Sequence, residues 1–380
     1  MLFNKFNKNF ILATFSNCFF FVNFSCFFLL PLFLDNLGYS KSDIGIIMAT
    51  FGLSSILLTP YTSTLIDKYG KKILCIFALC LMFTSSFLFI YITNFYLILL
   101  LRIIQGVAFS IFFNSSSAIA SNNLDDSDKQ VGLSLFSSFT ILSYFLGPFF
   151  SEKIIINVGF DEFFIYASLF SFVSLVLIIF VHEESNDKDS SIDTLSFFKI
   201  ISENKIFNYL FANFLLASGF GVVMNFLSLF LKNNSLSVGF FFIAYSIVVS
   251  LSRIFLSSRF SSDKLFNKIL IMLSLFSLSI FMLPYIGTKY DVVIFSIFFS
   301  LTYSLVYPFL SSITLSGKSK SLSGRLFGAL NCSFSIGVNL MTLFYGFIAE
   351  IWGFNTMFQF SSCVIFLGII FLIVRKRSTI

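Results

Sequence analysis

Apolar residues run along this chain in blocks of about twenty, each closed by charges or turn residues, and the blocks show no strand-like alternation. A helix rising 1.5 Å per residue needs about twenty such residues to cross a bilayer. The pattern predicts twelve crossing segments, near 10–34, 44–66, 72–93, 95–121, 130–151, 162–181, 206–231, 237–259, 267–286, 291–315, 323–349 and 354–374. Thr93 and Asn94 alone part the third from the fourth. The first block follows Lys5 and Lys8 but is too long for the apolar core of a leader peptide, and is expected to stay as the first crossing helix.

Composition agrees. Of 380 residues, 57% are hydrophobic and 11% charged, whereas a water-soluble domain carries about 25% charged residues. Sixty phenylalanines supply most of the aromatic content and read as a compositional bias compatible with lipid. Cys18, Cys26, Cys75, Cys80, Cys332 and Cys363 lie in apolar blocks without a CxxC pair, and His182 has no ligand partner nearby, so no metal or cofactor is expected.

Charge gives an orientation. With the N-terminus in the cytoplasm, eighteen Lys and Arg fall on the cytoplasmic side, and four (Lys41, Lys153, Lys232, Lys289) fall outside. Arg102 and Arg253 lie within the membrane. This bias is the positive-inside pattern, and it explains the net charge of +6 without nucleic acid. Both termini are expected in the cytoplasm, with the acid-rich stretch 182–205 a cytoplasmic linker between bundles 1–181 and 206–380.

The halves repeat. At a spacing of 196 residues Asn17 falls on Asn213, Asp67 on Asp263, Lys68 on Lys264, Lys72 on Lys268, Lys129 on Arg325 and Gly132 on Gly328. Both halves begin on the same side, so the expected fold is an all-α membrane protein of two parallel six-helix repeats. Two such bundles suit alternating access.

Short motifs then carry a resemblance. The stretch from Ser63 to Lys72, with Asp67, Lys68, Gly70 and Lys71, is similar to the pattern G-x-x-x-D-R/K-x-G-R/K-R/K, with Ser63 at the first glycine. Arg102, Gln105 and Gly106 match R-x-x-Q-G, and Gly147-Pro148 matches the core of an antiporter-type motif whose trailing glycines are replaced here by Phe149, Phe150 and Ser151. In these positions the motifs resemble the major facilitator superfamily. Phe241, Phe242, Tyr245 and Arg253, with Tyr303, Tyr307 and Pro308, are similar to its bacterial sugar- and drug-efflux branch.

The resemblance implies a secondary transporter of a small organic solute in the bacterial inner membrane, acting as a monomer with protons or another ion as coupling partner. Export is the expected direction; uptake or exchange of an anionic metabolite is the alternative, and a receptor or intramembrane enzyme the remote one. The residues hold no Ser/His pair, no membrane Asp pair and no nucleotide loop. The resemblance further implies two latches, Asp67 against the start of the eleventh helix near Arg325, and Asp263 against the start of the fifth near Lys129. Gly70 suits a tight turn, and Lys71 and Lys72 are expected to meet acids near Asp125. A charge at mid-membrane costs about 2.5–3.5 kcal/mol, so Arg102 and Arg253 are expected to face a bundle interior or a cavity. Asn17, Asn23, Asn114, Asn213, Asn225, Tyr245, Tyr303 and Tyr307 are candidate cavity lining, with Gly147 and Pro148 at a helix bend. No carboxylate is expected at the middle of a helix.

Overall fold

A computed structural model describes residues 6–125, 129–182, 206–255, 265–315 and 320–378. Among them the chain is helical: α1 (Lys8–Cys26), a 3₁₀ turn (Phe27–Leu29), α2 (Leu30–Asn36), α3 (Lys41–Tyr69), α4 (Lys71–Leu88), α5 (Phe95–Asn122), α6 (Lys129–Asn157), α7 (Phe160–Ile179), α8 (Phe207–Asn233), α9 (Gly239–Phe255), α10 (Leu265–Phe281), a 3₁₀ turn (Leu283–Tyr285), α11 (Lys289–Leu315) and α12 (Lys320–Ser378). Ten of these stretches are long and apolar enough to cross a membrane, and Gly239–Ser252 is a shorter apolar helix. The 59-residue α12 is two helices joined across Gly353, whose φ of 81° and ψ of 170° break the helical path. Dividing α12 at Gly353 and adding α9 accounts for all twelve expected crossings.

Local chemistry sets the breaks. Pro31 has no N–H for the Phe27 carbonyl and its ring would crowd that oxygen, so the first crossing loosens to a 3₁₀ turn at Phe27–Leu29 and resumes as α2. The third crossing was expected to 93 and ends at Leu88; the Asn94 side chain then caps α5, accepting from the Tyr96 and Leu97 N–H groups at 3.0 and 3.4 Å. Gly70, at φ 85°, makes the one-residue turn between α3 and α4.

By packing, Met1–Phe33 with Ser54–Ile192 forms one compact unit, and Leu34–Leu53 with Asp193–Ile380 a second. Residues 34–53 thus pack with the second unit. In the first unit α1 lies against α5, α6 and α7, and α4 against α5 and α7. In the second, α8 packs on α12, α9 on α11, and α10 on α11 and α12. The helices α1 and α8 are apolar on all sides and are interior; residues 215–219 and 221–231 of α8 are all buried. Outward faces carry Leu100, Ile165, Leu169 and Phe172 in one unit and Leu278, Phe366 and Leu367 in the other, all exposed. Apolar surface of that extent is stable against lipid chains.

Candidate functional site

In the first unit the intramembrane arginine is built into its own bundle. Arg102 sits seven residues into α5, and its spacing to Gln105 brings the two side chains together on one helix face. The Arg102 guanidinium donates to Gln105 Oε1 at 2.8 Å and lies 5.9 Å from the centre of the Phe27 ring in the first 3₁₀ turn. Gln105 Nε2 donates to Ser86 Oγ of α4 at 3.4 Å, and Asn23 Nδ2 of α1 donates to the same oxygen at 3.1 Å and to the Ala167 carbonyl of α7 at 2.6 Å. Arg102 is 4% exposed, and Gln105, Ser86 and Asn23 are fully buried. The chain therefore ties α1, α4, α5 and α7 through one polar network, where hydrogen bonds satisfy a charge that lipid would penalise. The sequence expectation allowed Arg102 either a bundle interior or a cavity; the structure places it in the interior. Gly106, next to this network, is also buried.

The paired asparagines bridge helices. Asn17 Nδ2 of α1 donates to Thr140 Oγ1 of α6 at 2.8 Å. Its repeat counterpart Asn213 of α8 donates to the Leu330 carbonyl and Ser333 Oγ of α12, at 2.7 and 2.9 Å. Asn225 donates to the Gly221 carbonyl and to Thr342 Oγ1 of α12, and Asn114 to Thr62 Oγ1 of α3 and to the Ser110 carbonyl. The Oδ1 atoms of Asn17, Asn23 and Asn213 find no donor among the described residues. Gly147 permits the close approach of α6 to the end of α1: a Cβ there would lie 2.7 Å from the Val22 carbonyl and 2.9 Å from the Cys26 N. Pro148 follows inside α6.

One aromatic set in each unit is centred on a repeat-related phenylalanine, Phe24 in the first and Phe220 in the second. In the first, Phe24 of α1 lies 5.0 Å from Phe109 of α5 and 6.1 Å from Tyr144 of α6, with Phe109 stacked on Phe113 at 5.9 Å. In the second, Phe220 of α8 stacks on Tyr303 of α11 at 4.7 Å and lies 5.7 Å from Phe334 of α12. Phe24 and Phe220 are 196 residues apart, the repeat spacing, whereas Phe109, Tyr144, Tyr303 and Phe334 fall on Leu305, Leu340, Val107 and Ser138. Tyr307 packs edge-on against Phe334 and donates its hydroxyl to Asn331 Oδ1 at 2.6 Å. Tyr245 is 2% exposed and is packed among Phe241, Phe299 and Tyr303. Tyr303 and Tyr307 were expected as cavity lining, but the phenylalanines of the two sets were not singled out from the sequence, where sixty phenylalanines hide any one of them; the repeat spacing at Phe24 was the available signal.

Of the expected latch residues, Lys68 lies in the last turn of α3 with its Nζ 5.0 Å from the Tyr69 ring centre. Lys71 and Lys72 open α4. Lys129, Arg253 and Arg325 have helical backbone, but their side chains and that of Asp67 lie outside the described residues, as does the whole of Asp263.

The family model of the Major Facilitator Superfamily matches residues 10–342 of this chain. The Staphylopine export protein of Staphylococcus aureus is 24% identical over 372 residues, covering 91% of this chain and 90% of that protein. The Quinolone resistance protein NorA of Staphylococcus aureus is 30% identical over 119 residues, so this chain spans about a third (31%) of that relative's length. Among solved structures, the nucleoside transporter NupG superposes with a TM-score of 0.77 at 13% identity, covering 97% of this chain and 98% of that one. The human organic anion transporter MFSD10 gives 0.69 at 16% identity, over 96% of this chain and 99% of that one.

Proposed function

This chain belongs to the major facilitator superfamily, a multi-pass membrane transporter and not an enzyme, and we propose that it exports a small amphipathic organic solute by alternating access. The observation that carries the substrate class is the pair of aromatic sets around Phe24 and Phe220. Each set offers stacked ring faces with a polar group beside them, such as Tyr307 and Asn331 in the second unit. Aromatic side chains of this kind take up apolar or aromatic bodies, and a few polar groups fix orientation. Export is favoured by the export role of a relative that matches nearly the whole chain.

The driving force is an ion gradient, with protons the first candidate, and the chain acts as a monomer in the plasma membrane with both termini in the cytoplasm. Asp67 and Asp263 are the proposed cytoplasmic latches, each a carboxylate that a helix N-terminus would hold. Anionic-metabolite transport draws no support from Arg102, whose guanidinium is buried and bonded to Gln105. The test is a solute panel in proteoliposomes with imposed pH and sodium gradients. Amphipathic aromatic solutes should move and small hydrophilic anions should not; the reverse preference overturns the substrate class.

A further inference from the structure

On an exposed apolar face of the second unit, α10 and the part of α12 after Gly353 meet over a clasp of two serines. Ser277 Oγ donates to the Ser362 carbonyl at 2.9 Å, and Ser362 Oγ donates to the Ser277 carbonyl at 2.7 Å. Small residues let helix backbones approach closely in a membrane. Here they also leave the surface above them unfilled. A groove of about 590 Å³ lies over the clasp, walled by Leu278, Phe281, Phe366 and Leu367, with Ser274 and Cys363 between them. Both clasp hydroxyls are spent on backbone carbonyls, so the groove offers a polar solute little to bind.

The groove leads toward a basic edge. Lys268, Ile271, Leu275 and Leu278 follow at spacings of three and four residues, so they share one face of α10. On α12 the exposed residues Cys363, Leu367, Ile370 and Val374 keep the same spacing, which next reaches position 377, an arginine. At 1.5 Å per residue, Ser274 and Phe281 lie about 9 and 20 Å along α10 from Lys268. The hydrocarbon of one leaflet is about 15 Å deep, half of the bilayer core. The groove therefore covers the depth of an acyl chain whose headgroup lies level with Lys268. Basic residues at that level attract anionic headgroups. The first unit has no copy: Lys72 is the repeat counterpart of Lys268, yet Ser277 falls on Leu81 and Ser362 on Tyr166.

We propose that this groove seats one acyl chain of an anionic phospholipid, with the headgroup phosphate held at the Lys268 end. The apolar walls take the chain, and the basic edge selects a net negative headgroup over a zwitterionic one. The proposal needs only that the chain spans a bilayer, and it stands whichever solute is carried.

The test uses the full chain in phosphatidylcholine vesicles and needs no solute. Trp352 is the only tryptophan; Trp352→Phe removes it, and Leu367→Trp then places one fluorophore on the groove wall. Brominated acyl chains quench tryptophan on contact, so brominated phosphatidylglycerol is compared with brominated phosphatidylcholine at equal mole fraction. The apparent binding constant should favour phosphatidylglycerol about five-fold, the effect of one lysine near an anionic headgroup. Lys268→Gln should lower that ratio toward one, and Lys268→Arg should keep it. Ser274→Leu with Cys363→Leu fills the groove and should also bring the ratio toward one. A tryptophan at Leu100, on the exposed face of the first unit, should show no preference in any of these proteins. Equal quenching by the two lipids in the parent, a ratio undiminished in Lys268→Gln, or one retained in the filled groove would each overturn the site. Quenching at position 367 that appears only when the protein is diluted in lipid would put a second copy of the chain in the groove and overturn the lipid. Protein that shows the preference but moves no solute would count against the transport reading and leave the lipid site standing.

Discussion

The Arg102–Gln105 contact makes a quantitative expectation. Arg102→Met keeps length and apolar volume but removes the donor that Gln105 Oε1 accepts at 2.8 Å in a fully buried setting. Leaving a buried acceptor without its partner costs about 1–3 kcal/mol, while replacing both partners by apolar groups of similar shape is close to neutral. Removing the guanidinium also relieves the burial of a charge, which offsets part of the loss. The single variants Arg102→Met and Gln105→Met should therefore each unfold earlier than the parent. The double variant should be less destabilised than the sum of the two, with a coupling of about 0.5–3 kcal/mol. Loss of helical circular dichroism on heating in detergent micelles reads the four proteins. Transport should fall in Arg102→Met because Phe27 and the bend of the first crossing lose their neighbour. Additive single and double effects, with full transport in Arg102→Met, would refute the network as a structural tie.

Three other outcomes are expected. A cysteine at Ser235, beside the Lys232 end of α8, should label from outside only; labelling only from the cytoplasm would invert the orientation. Asn213→Ala should lower stability by about 1 kcal/mol, the scale of interhelical bonds in membranes, with the relative rates for different solutes unchanged, and a changed preference would make Asn213 part of the binding surface. Asp67→Asn and Asp263→Asn should each widen the spin-label distance between the cytoplasmic ends of the second and eleventh crossings, since a charge at a helix end contributes about 0.3–2 kcal/mol; unchanged distances in both would leave the matched carboxylates as a record of duplication alone.

Much of this architecture is written in the sequence because bilayer thickness fixes segment length. The twelve blocks, the break at Asn94 and the turn at Gly70 follow from apolar run length, a capping side chain and a residue free to take positive φ. The 3₁₀ turn at Phe27–Leu29 leaves no mark in the hydropathy, because Pro31 stands inside an unbroken apolar run, and only the proline itself signals a lost N–H. Arg102 and Gln105 were found by motif, and their three-residue spacing already placed them on one face. What sequence alone left open was which bundle side that face meets. The Asn residues were ambiguous for the same reason: a polar atom inside the membrane must find a partner, and Thr140, Leu330 or Ser333 serve as well as a solute. The Ser277–Ser362 clasp is a pairing between positions 85 residues apart, which no local pattern reports.

The central claim is that this chain moves a small organic solute across a bilayer by coupling it to an ion gradient. Its most direct measurement is uptake of fluorescent amphipathic aromatic solutes into liposomes holding the purified protein, with a pH gradient imposed and then collapsed by an ionophore. The account predicts accumulation above protein-free liposomes that disappears when the gradient is collapsed. Folded protein that accumulates none of the solutes under a pH gradient, a sodium gradient or counterflow would contradict it.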